Sequence, residues 1–246
     1  MDLEQVRQLI SEREIEVVKV GGADMDGVFR GKRILAPHFL EGCQAGFPQC
    51  DVIFGWDIAE QLIDGLAVGS AETGYADIVM QPDLATFRAV PWEPKAAAVI
   101  CDYAAEDGQP LAVSPRQVLR RVVARAMSAG YVAKMAVELE VRLFREDQQS
   151  LRSKGYTNLQ PLSPGLNCYS IHHASLDEDV VGRIRRLMIE YGVPVEGYNR
   201  EHGEGMYEIN LHYADALTAA DHALLYKSGS KEIAGQAGVV PTFMAK

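Results

Sequence analysis

The sequence has few of the features that mark secreted, membrane or nucleic-acid-binding proteins. Its four cysteines match neither a zinc site nor a dense disulfide framework, so we expect reduced thiols. No apolar run is long enough to span a bilayer, and the acidic, amphipathic start differs from a signal peptide. Acidic side chains outnumber basic ones by 34 to 24, and the net charge of -10 argues against a general nucleic-acid or anionic-membrane surface. Together these absences predict a cytoplasmic protein that binds neither nucleic acid nor membranes.

The 246 residues are enough for one large domain or two ordinary ones, and a hydrophobic fraction of 48% can form a sizeable core. Strand patterns joined by short loops dominate the first hundred residues, which favours an α+β unit with a mixed or antiparallel sheet. The hydrophilic run 106–109 is the best candidate boundary. The predicted domains are therefore 1–107 and 108–246.

Local signals predict several elements. Asp2 is placed to cap a first helix, and the turn 24–27 is placed to close a hairpin. A helix with Pro115 at its first position carries a basic face that includes Arg116 and Arg120, which we expect to be solvated or to contact a partner subunit. The pattern at 175–178 is typical of a capping box for a later helix. The intervening long segment, 145–174, is expected to be a functional or disordered loop.

Two acidic strands are the most informative part of the chain. In 134–144, apolar residues alternate onto one face, so Glu138 and Glu140 share the other. In 201–211 the same alternation puts Glu208 and Asn210 opposite a face of apolar and aromatic residues. The sequence predicts that the two strands pair and bring their acidic faces together.

A glycine-rich loop leads into the second strand and adds Glu201 and Glu204, so up to five carboxylates would crowd one surface. Such a cluster requires a compensating cation, and all-oxygen ligands favour Mg²⁺ or Mn²⁺. The alternative is that these glutamates form the wet face of ordinary half-buried strands. Asp57 has two similar interpretations, either a strand-end turn former or a carboxylate at the lip of a site.

Several landmarks occur in the order found in the glutamine synthetase family, and they cover nearly the whole chain. They are Gln81–Thr86, Val90–Trp92, Cys101–Asp102, Asp107–Gly108, Ser114–Leu119, the pair Glu138 and Glu140, the run Glu201–Glu208, Ala220–Asp221, Tyr226–Lys227 and Thr242–Lys246. The chain resembles the amino-terminal half of such a ligase, and is nearer to the γ-glutamylamine or γ-glutamylpolyamine ligases than to the ammonia-using enzymes.

The resemblance implies an amino-terminal β-grasp domain followed by part of a catalytic domain whose antiparallel sheet carries the metals. It also implies a ring-shaped homo-oligomer in which neighbouring subunits share each active site. In this family ATP phosphorylates the γ-carboxylate of glutamate, and an amine or ammonia then displaces the phosphate.

Carried over by motif, Glu140, Glu201 and Glu208 match the three carboxylates of one metal site, and Glu138 matches a ligand of a second metal. The resemblance implies that Asp57 and Tyr169 serve the incoming amine. It implies that Glu196 contacts the nucleotide.

Two departures from the family pattern stand out. The usual Gly-Gln of the glycine run is Gly205-Met206 here, which changes a polar position beside the expected metals. In the family, a histidine and a last glutamate complete the second metal site, and arginines hold phosphate and glutamate. The motifs of this chain include none of these residues. The expectation is that this chain alone is a catalytically incompetent portion of a ligase.

Two other functions fit the same residues. One is a non-catalytic interaction or oligomerisation module built on the same scaffold. The other is an unrelated α+β metal-dependent hydrolase, which would need a histidine beside the carboxylates. His202 and His212 are the nearby candidates, and both are expected to be solvated.

Overall fold

The computed structural model describes residues 1–244, and the chain divides into two compact units, Met1–Ala133 and Lys134–Lys246. Each unit contains helices packed with β-sheet, which confirms the α+β class. The end of the predicted landmark Thr242–Lys246 lies outside the described residues.

The first unit contains six strands and three α-helices. They are α1 (Leu3–Glu12), β1 (Val17–Ala23), β2 (Phe29–Leu35), α2 (Ala36–Gly42), β3 (Phe47–Cys50), β4 (Asp77–Pro82), β5 (Arg88–Ala89), β6 (Ala96–Ala104) and α3 (Pro115–Ser128).

The strands of this unit form one mixed sheet in the order β2-β1-β6-β4-β3, with β5 added beside β6. β1 and β2 form the predicted antiparallel hairpin, whereas β1 and β6 run parallel. β6 is almost continuously buried, as expected for a central strand covered on both sides. Val6 of α1 and Phe39 of α2 complete the core against the sheet. Asp2 caps α1 as predicted, through a capping box with Gln5.

Part of the basic face of α3 is turned inward, which corrects the prediction for Arg116, whereas Arg121 and Arg125 of the same helix are exposed. Arg116 is buried and bonds Asp102 and Asp83, each at 2.8 Å, while Arg120 reaches the same two carboxylates. The reason is that Asp83, which directly follows β4, and Asp102 on β6 lie together, and these two acids hold the helix by charge. Val118, an apolar residue of the same helix, is exposed.

The compact units divide between Ala133 and Lys134, with α3 packed against β6 in the first unit. The predicted domain boundary after residue 107 stays a prediction.

The described part of the second unit, 134–244, contains six strands and four α-helices. They are β7 (Lys134–Met135), β8 (Glu138–Phe144), α4 (Gln148–Ser153), α5 (Ile171–Leu176), α6 (Val181–Glu190), β9 (Val195–Arg200), β10 (Met206–Leu211), β11 (Ala214–Asp215), α7 (Ala216–Gln236) and β12 (Val240–Thr242).

Four strands form the main sheet of this unit, in the order β12-β8-β10-β9, and each neighbouring pair is antiparallel. β7 pairs separately with β11, so the predicted first acidic strand is two strands. Val141 and Leu143 of β8 and Tyr207 of β10 are buried on one side of the main sheet, as the alternation predicted. Helices α6 and α7 pack against each other, and α7 begins at an Asp215 cap.

Two local predictions fail in this unit. The segment 145–174 is not one irregular loop, since α4 lies within it and α5 begins before its end. The pattern at 175–178 caps nothing: Ser175 lies inside α5, and α6 begins without a side-chain cap. Asp177, which lies within that stretch, is instead buried.

Helix α7 has 21 residues, long enough in principle to cross a bilayer. Among residues 1–244, however, no helix combines that length with sufficient apolar character.

Candidate functional site

The acidic strands pair as predicted. Glu140 of β8 lies directly opposite Glu208 of β10, and Glu138 lies opposite Asn210. Residues that face each other across an antiparallel pair point to the same side, so the carboxylates share one face of the sheet. Glu138 is exposed, whereas Glu140 and Glu208 are half-buried. Two like charges at directly opposed positions repel, and the face therefore favours a cation.

The polar surroundings of this pair offset only part of that charge. The amide of Asn210 donates to Glu208 Oε1 at 3.0 Å. One pleat repeat along β8 lies Arg142, on the same face, opposite Met206. The face thus changes within a few residues from acidic to basic and apolar.

The negative charges of this face also affect the pKa of Tyr169. Its backbone N–H donates to the carbonyl of Arg200 at 3.0 Å, which anchors the segment beside the end of β9. The negative charge of Glu208, followed by Cys168, Glu201 and Glu138, raises the pKa of the exposed Tyr169 phenol. A phenol that responds to three of the predicted metal ligands lies in their common field. The Tyr169 phenol therefore lies in the electrostatic field of Glu208, Glu201 and Glu138, and the metal-ligand roles of these carboxylates stay a prediction.

The glycine loop between β9 and β10 is held by backbone bonds. Glu201 N–H donates to Met206 O at 3.0 Å, and Gly205 N–H donates to Ser163 O at 3.0 Å. Gly205 has φ +64, and a Cβ there would approach Leu143 O to 2.5 Å. Only glycine fits where the chain passes so close to Leu143 O, and this close approach fixes the position of the loop that carries Glu201.

Glu204 does not belong to the carboxylate cluster, contrary to the suggestion of five acids on one surface. Its Oε1 accepts a hydrogen bond from the backbone of Gly165 at 3.1 Å. The physical reason is that residue 204 occupies the outer turn of the loop, where the nearest donor is the neighbouring segment.

A buried ionic network lies on the other side of the sheet and was missed by sequence reasoning. Arg200 Nη1 bonds Asp177 Oδ2 at 2.8 Å, and the hydroxyl of Tyr207 donates to the same oxygen at 2.7 Å. Ser163 also donates to Asp177, at 2.7 Å. Because Ser163 and Arg200 lie in the segments that position Gly205 and Tyr169, this network supports the acidic face from beneath. An arginine at a core-facing position of β9 was the available signal, since such a charge requires a buried acid.

The donor chemistry of the acidic face suits Mg²⁺ or Mn²⁺, which prefer oxygen ligands. Convergence is incomplete: within residues 1–244, no three His, Cys, Asp or Glu side chains come close enough together to hold a metal ion. Opposed Glu140 and Glu208 give the start of a ligand set, and the metal assignment stays a prediction.

The other predicted site residues form turns or lie at the surface. Asp57 Oδ1 accepts bonds from the backbone of Ala59 and Gln61, both at 2.9 Å, as a turn former does. Glu196 is exposed and lies 3.6 Å from the ring of His212. His202 and His212 are both exposed, as expected of solvated residues.

Comparison with known protein families identifies the scaffold. Residues 112–246, more than half of the chain, match the model of the glutamine synthetase catalytic domain. The chain belongs to the glutamine synthetase family. The family match begins inside the first compact unit, just before helix α3.

Two curated members of the glutamine synthetase family illustrate the relationship. The chain is 40% identical to a glutamate–isopropylamine ligase of a Pseudomonas species over 98% of its own length and 53% of the relative's. It is 36% identical to a γ-glutamylethanolamide synthetase of Streptomyces coelicolor over 100% of its length and 54% of the relative's. The chain therefore spans about half the length of the relatives it matches.

Two solved structures agree with the fold. The apo form of a protein named GmaS superimposes with a TM-score of 0.80 at 26% identity, covering 98% of this chain and 52% of that one. A GmaS complex with ADP gives the same TM-score and identity, over 100% of this chain and 52% of the other.

Proposed function

We propose that this chain carries part of the active centre of an ATP-dependent ligase. The whole protein would join an amine or ammonia to the γ-carboxylate of glutamate through a γ-glutamyl phosphate. The observation that carries the proposal is the shared face on which Glu140 opposes Glu208, with Tyr169 in the field of Glu208, Glu201 and Glu138. Membership of the glutamine synthetase family, and relatives named as amine ligases, support it.

In this proposal Glu140, Glu201 and Glu208 hold one Mg²⁺ or Mn²⁺, and Glu138 contributes to a second. A bound divalent ion neutralises charge on transferring phosphoryl oxygens and orients the acceptor carboxylate. The chain's own part is to present paired carboxylates on a rigid sheet, so that the metal and the amine meet in a fixed place. Asp57 and Tyr169 would hold the incoming amine, and Glu196 would contact ATP.

The wider assignments follow from the family and belong to the same proposal. The amino-terminal unit would be the β-grasp domain, and subunits would assemble into a ring with shared sites in the cytoplasm. The amino-terminal unit has a six-stranded mixed sheet with α1 and α2 packed on it, which is compatible with a β-grasp domain.

The decisive experiment is calorimetric titration of the 246-residue chain with Mn²⁺. We expect weak binding at a single site, because opposed carboxylates gain from a shared cation. Glu140→Ala and Glu208→Ala should each abolish the heat. Glu204→Ala is the matched control, since Glu204 lies in the adjoining loop but bonds backbone.

Unchanged binding in Glu208→Ala, or no saturable binding in the parent chain, would contradict the metal assignment and favour the non-catalytic module. A second assay measures ADP release with glutamate and amines. We expect no turnover above blank from this chain, because its described carboxylates do not complete a metal site. Clear turnover would refute that expectation.

A further inference from the structure

Residues 55–63 of the first unit form a short irregular hairpin with Asp57 at its turn, which we call the Asp57 hairpin. Trp56 and Leu62 pair across it as an antiparallel bridge, and Asp57 N–H donates to Gln61 O at 3.0 Å. One carboxylate oxygen of Asp57, Oδ1, accepts the two backbone bonds that close the turn. Among the residues that the structure describes, none donates to the other oxygen, Oδ2, and Asp57 is exposed. The turn therefore leaves Oδ2 available to another group.

The turn contains a residue with a strained backbone. Glu60 has φ +62, in the left-handed region that residues other than glycine seldom occupy. Its N–H donates to Asp57 O at 2.9 Å, so this backbone conformation is part of what turns the chain back beside Asp57. Strain of this kind persists only where surrounding contacts hold it, and it is concentrated at functional sites.

The contact that holds Glu60 comes from the neighbouring hairpin of β1 and β2. Arg30, on β2, donates from Nη1 to Glu60 Oε1, and the two residues are 30 apart in the chain. The guanidinium carbon of Arg30 also lies 5.1 Å from the centroid of the Trp56 ring. A planar guanidinium can stack on an aromatic face while its edge donates hydrogen bonds. Arg30 therefore contacts the Asp57 hairpin at two points.

Arg30 is itself fixed by a buried acid. Its Nε donates to Asp24 Oδ2 at 2.8 Å, and the Asp24 side chain is 1% exposed. The other oxygen of Asp24 accepts the N–H groups of Asp26 and Val28, at 3.0 and 2.8 Å, within the turn between β1 and β2. Because a buried carboxylate needs a compensating charge, Asp24 determines where the guanidinium lies. Arg30 thus ties the Asp57 hairpin to a rigid turn.

We propose that Arg30 and Glu60 are positioning residues for Asp57, whose free carboxylate oxygen their ion pair holds in one place and one orientation. The inference rests on the proposed function, in which Asp57 holds the incoming amine. A carboxylate on a swinging hairpin would have to be ordered when the amine binds, whereas a fixed carboxylate avoids that cost. In this scheme Arg30 and Glu60 act through Asp57 rather than on the amine itself.

The test compares backbone amide exchange, measured by NMR, in the parent chain, Glu60→Gln and Asp64→Asn. Ala59 and Gln61 donate to Asp57 Oδ1, so their exchange rates show how firmly the turn is closed. Glu60→Gln should speed both about two- to fivefold, the effect of losing a partly exposed ion pair. Asp64→Asn is the matched control, because it removes an exposed charge from the same loop and should change neither rate.

A double-substitution cycle tests whether Arg30 acts through Glu60. Arg30→Gln should speed Ala59 and Gln61 as well, and it should also lower stability, because it leaves Asp24 without its cation. Adding Glu60→Gln to Arg30→Gln should then speed the two amides no further. Additive effects would show that each residue acts independently and would overturn the inference. The rates in Glu60→Gln decide the matter even if Arg30→Gln fails to fold.

The amine is tested with ethylammonium chloride and a chain labelled with ¹³C at its aspartate carboxyl groups. We expect a saturable shift of the Asp57 signal, with binding about two- to fivefold weaker in Glu60→Gln. Equal affinity in the two chains, or unchanged amide exchange in Glu60→Gln, would overturn the inference and leave the ligase proposal standing. Faster exchange in Glu60→Gln without any ethylammonium shift would support the ion pair's hold on Asp57 and count against the proposed function.

Discussion

Arg200 and Asp177 form an ion pair of 2.8 Å in which the side chains are 0% and 3% exposed. The guanidinium also lies over the ring of Tyr207, 5.4 Å from its centroid. A charge pair removed from water is costly to separate, because either partner left alone is a buried unpaired charge. The pair therefore fixes β9 and β10 relative to the segment that carries Tyr169.

The first prediction concerns this pair. Asp177→Asn should destabilise the second unit by about 3–5 kcal/mol, the usual effect of breaking a buried ion pair. Hydrogen exchange followed by mass spectrometry should show faster exchange in 163–170 and 201–206. Glu4→Gln breaks an exposed ion pair with Arg7 and should change stability by less than about 1 kcal/mol. Unaltered exchange in Asp177→Asn would show that the network does not support the acidic face.

Gly205 gives the second prediction. Gly205→Ala should cost roughly 1–3 kcal/mol, because φ is +64 and the new Cβ would press on Leu143 O. Gly197→Ala is the control on the same sheet, since nothing lies within 4 Å of a Cβ there. Urea unfolding measured by hydrogen exchange in the second unit compares the two. Equal stability of both variants would contradict the close crossing.

The third prediction is a pH effect at the site. The pKa of Tyr169 is raised chiefly by the negative charge of Glu208, because that charge disfavours phenolate. Glu208→Gln should therefore lower this pKa, and Glu204→Gln should change it less. Titration of ¹³Cζ-labelled tyrosine by NMR measures both. If the pKa of Tyr169 is the same in Glu208→Gln as in the parent chain, the charge of Glu208 does not act on the phenol.

The fourth prediction concerns acid stability of the first unit. Burial would raise the pKa of Asp83, but hydrogen bonding and charge from Arg116, aided by Arg120, lower it below 3.8. A carboxyl with a depressed pKa stabilises the fold above its ordinary pKa, and the contribution is lost as pH falls through the lowered value. Asp83→Asn should thus reduce the loss of stability between pH 5 and pH 2.5, a range chosen to be roughly one unit either side of 3.8.

Tryptophan fluorescence suits this measurement, since Trp56 and Trp92 both lie in the first unit. Asp107→Asn, at an exposed turn, is the control. If Asp83→Asn and the parent chain lose the same stability on acidification, the pair with Arg116 contributes nothing there.

The acidic face could be predicted because it depends on strand alternation. Tyr207, Ile209 and Leu211 are buried, so Glu208 and Asn210 must point the other way, and a slip by one residue would bury the acids. The same reasoning placed Glu138 and Glu140 on β8. A period of two residues is a local property of one strand, so it can be recognised in the sequence without knowing which strands lie beside it.

The buried ion pairs could not be predicted, because each depends on residues distant in the chain. Asp177 lies inside a stretch that matched a local capping pattern, but its partner Arg200 lies on a strand 23 residues away. Arg116 appeared to belong to a solvated helix face, but its partner Asp102 lies on β6, and its partner Asp83 directly follows β4. In both cases a tertiary charge partner overrode a pattern that is only a weak local preference.

The alternation along β10 divides its residues into two classes. Positions 208 and 210 lie half-buried on the acidic face, whereas 207, 209 and 211 hold the strand in the core, and Met206 is buried as well. Substitutions at 208 and 210 therefore remove less packing than substitutions at the buried positions. The glutamine-to-methionine difference from the family pattern at 206 falls on a buried position, where a new side chain must be accommodated by its neighbours.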